Sequence, residues 1–271
     1  MCCFNKSVKR EPRDTKILVT KTRNNRQLTI YQNTMVPEDK RSNNAMVLPF
    51  PLFTEINVKL INLSEHSNIL TDLHLLWPNE DSDEGSDSDR IKSKLEVQSV
   101  GAYHISVAYS LKDLTLIDED VFKISKNLKK VFTKHYPERY GFLICAFNPK
   151  KLIKGHPIAY VHDLLPGDRF FVPCRHEHGS SNKKPRFDHM IFTLNVGTGY
   201  QAGVKYDHDI MRVKNILNVG PLRRYIPDEF IIRALEIHGP HVNEDIIFQL
   251  ANKEELEEEL AKQDSISSSS D

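Results

Sequence analysis

Between residues 156 and 189 the chain gathers five of its twelve histidines, His156, His162, His176, His178 and His189, together with Cys174 and Asp188. If extended geometry runs through residues 169–178, side chains two apart share a face, and Cys174, His176 and His178 form one row. A return through Gly179-Ser180-Ser181-Asn182 then sets His189 opposite the end of that row, where neighbours on adjacent strands could share a ligand. Imidazoles beside a thiolate or carboxylate suit zinc or iron, with His176, His178 and His189 as ligands and Cys174 or Asp188 as an additional one. The plainer reading is a set of exposed or hydrogen-bonded histidines at a strand end, and His-x-His alone does not choose between the two. Asp188 shares its face with Met190, Phe192 and Leu194, so its carboxylate calls for a partner such as Arg175 or a histidine.

The second chemically suggestive segment is Met1-Cys2-Cys3-Phe4. Removal of Met1 would leave Cys2 with a thiol and an α-amine titrating near about pH 8. The amine then serves as base for its own thiol, the arrangement of an N-terminal nucleophile hydrolase acting on an amide or acyl bond, with His176 or His178 orienting the substrate or stabilising charge. Against this stands the polar stretch 5–14, broken by Pro12, which makes a rigid start hard to draw. Adjacent cysteines followed by Lys6, Lys9 and Arg10 also suit a lipid anchor, doubly acylated beside basic residues. An unmodified terminus is the third reading.

Composition limits the partners. Lys+Arg and Asp+Glu both number 37 in 271 residues, so no global positive field exists to hold a phosphate backbone, and no nucleic acid is expected. No apolar run approaches the length of a membrane-spanning helix, and the first long one, 46–53, is interrupted by Pro49 and Pro51. Four cysteines without a Cys-x-x-Cys pair make a disulfide framework unexpected and point to reduced thiols and a cytoplasmic address.

The elements that must position these residues read mostly as strands. Segments 16–20 and 27–34 flank Lys-Thr-Arg-Asn-Asn-Arg and form a hairpin turned at Asn24-Asn25. Residues 102–109 alternate with period two, and 142–147 is a continuous apolar run suited to a central strand. Segments 157–162, 169–176 and 187–195 continue as an antiparallel meander. One helix is expected over 119–134, with Val121, Ile124, Leu128, Val131 and Phe132 as its apolar stripe and Pro137 as its stop. A second is expected over 228–237, opened by Pro227-Asp228-Glu229. The sum is a single α+β domain over residues 14–250, with a mainly antiparallel sheet and at least two helices. Two segments stand apart. Residues 80–89 carry six carboxylates and no apolar side chain, as an acidic disordered insertion would, and 252–271 form a Glu/Ser-rich tail, a fraying helix followed by disorder. Ser86 and Ser88 precede Asp87 and Asp89, a context that acidophilic kinases prefer.

Met1-Cys2-Cys3-Phe4, Ala45-Met46-Val47-Leu48-Pro49-Phe50-Pro51, Val100-Gly101-Ala102-Tyr103, His156-Pro157-Ile158-Ala159, Phe171-Val172-Pro173 with His176-Glu177-His178, Phe187-Asp188-His189 and 239–245 together resemble an uncharacterised, mainly bacterial protein family whose members open with the same Met-Cys-Cys-Phe. The resemblance covers roughly residues 1–250 and leaves out the acidic insertion and the serine tail. No activity is established for that family, so it implies no mechanism. A shared Cys-Cys opening in bacteria would count against palmitoylation and favour the nucleophile or metal readings. Limited proteolysis is expected to cut first within residues 80–89 and after Asn252, and resistance at both places would contradict the composition-based reading of these segments.

Overall fold

The computed structural model describes residues 2–4, 13–34, 44–76, 98–116, 124–136, 138–147, 155–177, 185–195, 210–217, 219–250 and 253–267. In chain order the strands are β1 (Cys2–Phe4), β2 (Arg13–Lys21), β3 (Gln27–Thr34), β4 (Asn44–Pro51), β5 (Lys59–Asn62), β6 (Gln98–Val100), β7 (Tyr103–Ala108), β8 (Tyr140–Phe147), β9 (Ile158–His162), β10 (Arg169–Val172), β11 (His176–Glu177), β12 (Arg186–Leu194), β13 (Ile210–Lys214), β14 (Glu229–Pro240) and β15 (Ile246–Gln249). The helices are α1 (Ile69–His74), α2 (Lys126–His135) and α3 (Lys253–Ser267). The acidic run 80–89, His178 and the serines from 268 onward lie outside the described residues.

The strands build a six-stranded sheet in the order β11-β1-β4-β8-β7-β6, a seven-stranded sheet in the order β13-β14-β12-β2-β3-β9-β5, and the pair β10-β15. Pairing is antiparallel except for β1 with β11 and β12 with β2. One apolar cluster joins all three: Ile17, Tyr31 and Ile191 come from the seven-stranded sheet, Leu48, Leu143 and Phe147 from the six-stranded sheet, and Phe170 and Phe248 from the pair. Strand alternation sends the intervening side chains outward, and helices cover them. Ile69, Leu70 and Leu73 of α1, with Leu217, Leu222 and Ile226, cover Leu18, Ile30 and Phe192. Leu128 and Phe132 of α2 cover Val47, Phe142 and Ile144. The fold class is therefore the expected one, a mainly antiparallel α+β domain.

Individual elements depart from expectation. The segment 228–237, expected as a helix, is strand β14, hydrogen-bonded between β13 and β12. Phe230-Ile231-Ile232 and Ala234-Leu235 form an apolar stretch that serves a strand buried on both faces as well as a helix, and Ala234 and Leu235 do point into opposite clusters. β-Branched Ile231 and Ile232 favour the pleated surface, which overrides the local Pro-Asp-Glu start signal. The meander is also corrected, because β9 pairs with β3 and β5, β10 with β15, and β12 with β14 and β2. Helix α2 begins at Lys126, where the Ser125 hydroxyl accepts the Leu128 N–H at 3.2 Å and caps it. The hairpin stands as expected, β2 on β3, with Asn25 at φ +55°. The Glu-rich run is a docked helix: Leu256 of α3 is buried against Ile210 and Ile231, while Glu257 and Glu259 pair with Arg212 and Arg233. Among the described residues no helix is long and apolar enough to cross a membrane.

Gln27 fastens one sheet system to another. Its side-chain nitrogen donates to the Phe171 carbonyl at 2.7 Å, and its oxygen accepts the Phe171 N–H at 2.9 Å, which ties β3 to β10 inside the protein. Removing it strands two buried backbone groups, each costing about 1–3 kcal/mol. A Gln27→Ala variant is therefore expected to lose about 2–5 kcal/mol in urea denaturation with an unchanged m-value, and a loss below about 1 kcal/mol would contradict this role.

Candidate functional site

The strand that carries Cys2 and Cys3, β1, enters the six-stranded sheet beside β11, which carries His176. β1 runs parallel to β11, with Cys2 in register with His176, and antiparallel to β4, with Cys3 opposite Val47. The first strand is thus held on both sides by backbone pairing.

Strand geometry does not continue from β10 into β11, so the row expected to begin with Cys174 and His176 is broken between the two strands. Pro173 has no N–H to give a ladder, and the two amides after it turn to a side chain. Asp245 Oδ1 accepts the N–H groups of Cys174 at 3.0 Å and Arg175 at 2.9 Å, and its other carboxylate oxygen accepts the Tyr136 hydroxyl. Asn243 then grips the backbone of His176 on both sides: Oδ1 accepts its N–H at 2.6 Å and Nδ2 donates to its carbonyl at 2.7 Å. The loop 241–245, between β14 and β15, supplies with side chains what a neighbouring strand would have supplied with backbone. No reading of the sequence gave Asn243 and Asp245 this role; their only signal was an Asn-x-Asp pair after a Gly-Pro turn.

The imidazoles of His176 and His189 are buried, with their Nε2 atoms 3.2 Å apart, and the Phe187 ring lies against both at centroid distances of 4.6 and 4.8 Å. The Asp188 N–H points at His189 Nδ1, 3.2 Å away. That bond makes Nδ1 the acceptor and leaves the proton on Nε2, from which it is donated to His176 Nε2. The contact is a hydrogen bond between two histidines, and a metal on both Nε2 atoms would have to displace that proton and break the Asp188 bond. Among the described residues no group of three His, Cys, Asp or Glu side chains is disposed to hold a metal ion. Cys174 is buried, and burial pushes its thiol up to about 12, so it is a protonated, weakly reactive packing residue. Of the expected zinc or iron ligands, then, His176 and His189 come together as a proton-sharing pair, and His178 lies outside the described residues.

Asp188 has the histidine partner its position called for, on β14: His238 Nδ1 lies 3.3 Å from Oδ1, while Oδ2 accepts the Asp14 N–H at 2.9 Å. His156 and His162 sit elsewhere in the fold. His156 Nδ1 lies 3.0 Å from the Pro157 carbonyl oxygen, and Nε2 lies 2.8 Å from the Val100 carbonyl oxygen and 3.0 Å from the Ala102 nitrogen, which pins the turn between β6 and β7. Gly101 in that turn has φ +55°, and a Cβ there would come within 2.3 Å of His156 Nε2. His162 is fully enclosed, hydrogen-bonded to Thr29 Oγ1 at 2.8 Å and stacked on Tyr160. The neighbouring Asp163 accepts the N–H groups of Phe53 and Thr54, each at 2.7 Å, and pairs with Arg26. Asp188, His156, His162 and Asp163 thus each hydrogen-bond backbone groups.

No protein-family profile matches the sequence, and no curated protein matches it. Solved structures do. The crystal structure of baculovirus P35 superposes on 93% of this chain and 100% of its own, with TM-score 0.51 and 12% identity. A mutated baculovirus P35 after caspase cleavage gives TM-score 0.44 at 10% identity over 88% of this chain and 99% of that one, and the caspase-8/P35 complex gives 0.45 at 9% over 88% and 96%. At such identities the likeness is one of fold. It corrects two expectations: the chain shares its architecture with a viral protein rather than with a bacterial family, and that architecture is not an N-terminal cysteine hydrolase's with Cys2 as nucleophile and His176 or His178 beside it.

Burial holds the folded-state pKa of His162 down at about 3, from an ordinary value of 6.5. Between these values the unfolded chain takes up a proton that the folded chain refuses, so stability falls as pH drops through about 6.5 toward about 3. A His162→Gln variant, less stable near neutral pH, is expected to show a shallower loss over the same interval in denaturant titrations. An equal slope would place the acid sensitivity elsewhere.

Proposed function

We propose that this chain is a substrate-like inhibitor of a caspase-class cysteine protease. The observation that carries the reading is the fold likeness to baculovirus P35 over 93% of the chain, P35 being a protein crystallised after caspase cleavage and in complex with caspase-8. A bait segment inhibits best when rigid elements hold both of its ends, because ordering it in a protease cleft then costs less entropy. Residues 77–97 join two such elements. α1 is fastened to the seven-stranded sheet by Ile69, Leu70 and Leu73, and β6 leads into the turn pinned by His156. Caspases cut after aspartate, and this connection carries Asp81, Asp83, Asp87 and Asp89. The bulk of the protein is then a frame, which agrees with a cluster of histidines engaged in holding backbone.

The test incubates purified chain with a panel of caspases, caspase-8 among them, and follows hydrolysis of a fluorogenic peptide ending in aspartate. Expected is a stoichiometric loss of protease activity with a single cut after one of the four aspartates, and loss of both effects when all four are changed to alanine. Cutting without inhibition would make the chain a substrate only, and an unaffected panel would overturn the proposal.

A further inference from the structure

Helix α2 carries a face that its own fold does not use. Leu128 and Phe132 are buried, with the Phe132 ring 4.9 Å from that of Phe142, whereas Lys126, Lys129, Lys130 and Lys134 are exposed. At about 100° per residue the four lysines fall within one arc of about 140°. Among the described residues none of them makes an ion pair, while Lys16, Lys21, Arg26, Arg212, Lys214 and Arg233 all do. The arrangement works against the helix itself. Lys126 and Lys130, and Lys130 and Lys134, are like charges four residues apart, and Lys126 stands at the N-terminal end, where the helix dipole disfavours a cation. The pKa of His135 is lowered by burial, then by Arg175 and Lys134, against the raising influence of Asp245 and Glu244. Acids touch the helix at two points: Glu177 accepts from Asn127 at 3.3 Å, and Asp245 accepts the hydroxyl of Tyr136 at the C-terminal cap.

The sequence contains one acidic run of matching pattern. Residues 80–89 include Asp81-Ser82-Asp83 and Asp87-Ser88-Asp89, and the other long acidic run, on α3, is already engaged with Arg212 and Arg233. Alternate side chains of an extended segment repeat every about 6.6 Å, and lysines one turn apart repeat every about 6 Å along the helix. The run is tethered to the sheet that α2 covers. From Asp89 to β6, the strand beside β7, the chain spans up to about 30 Å, and from α1 to Asp89 up to about 45 Å.

We propose that the lysine face of α2 is the docking site for the acidic run 80–89 of the same chain. Tethering gives the run a high effective concentration at the face, which favours its own helix over that of a second copy. The pairing is electrostatic and weakens with salt. It stands on charge and spacing and is independent of whether the chain restrains a protease.

Carbodiimide coupling on the full-length protein tests this, because it joins a carboxylate to an amine only where the two are in contact. An equal mixture of unlabelled and nitrogen-15 protein is treated and read by mass spectrometry. Expected are amide links from Asp81, Asp83, Asp87 or Asp89 to Lys126, Lys129, Lys130 or Lys134 within single copies, reduced at least about fivefold in about 0.5 M NaCl. They should vanish in a Lys126→Glu/Lys130→Glu/Lys134→Glu variant whose thermal transition remains cooperative. Links mainly to Arg90's neighbours Lys92 and Lys94, links spread over Lys21, Lys59 and Lys112, or links chiefly between light and heavy copies would each overturn the proposal.

Discussion

A backbone that leaves a sheet in the interior of a protein must find new partners for its amides, and this structure meets that constraint at residues 173–177 with two side chains. Asp245 takes the N–H groups of Cys174 and Arg175, and Asn243 takes both backbone groups of His176. Because β11 is held there, β1 has an edge to pair with, and the six-stranded sheet is completed on that side. Tyr136, at the end of α2, donates to the same Asp245, so the helix covering the outer face is fastened to the same point. Breaking that point would free a strand pair, a helix end and the corner that brings His176 to His189.

The buried polar residues follow one rule throughout. Gln27 bridges the Phe171 backbone, Asp163 receives the amides of Phe53 and Thr54, and His162 bonds Thr29 and the Asp163 carbonyl. Each sits where a strand ends or two sheet systems meet, places at which apolar side chains would leave backbone groups without partners. His156 belongs to this set too, set against backbone groups of Val100, Ala102 and Pro157. Burial lowers the pKa of His156 and His162, and an uncharged imidazole both donates and accepts, which suits it to join groups that differ in kind.

Charge is arranged at a larger scale. Lys+Arg and Asp+Glu balance over the whole chain, yet the signs are separated between the face of α2 and the run 80–89, while α3 matches its glutamates to Arg212 and Arg233 on β13 and β14. Matched charges help dock a helix that, among the described side chains, packs Leu256 and Leu260 against the strands. Among the described residues the lysines of α2 have no such match, on a helix already anchored by Leu128 and Phe132.

Much of the architecture was legible in the order of residues. Period-two alternation located β7, the apolar run located β8, and Asn24-Asn25 located the turn between β2 and β3, because each depends on neighbours a few residues away. The strand β14 was misread since a segment apolar on all sides has the same local pattern in either conformation, and only its place between β13 and β12 decides. Strand partners were likewise beyond reach: nothing near residues 186–194 indicates that they lie parallel to residues 13–21, a contact set by packing across the whole domain. The histidine site divides in the same way. Residue types and spacing announced that His176 and His189 would meet, but the 3.2 Å approach of their Nε2 atoms requires β11 and β12 to be brought together from two different sheets. The sequence by itself determined which segments extend, which faces are apolar and where charge collects, since these are properties of local spacing; the tertiary structure alone decided which strands pair, which amides need side-chain partners and what each buried histidine does, since these depend on groups far apart along the chain and adjacent in space.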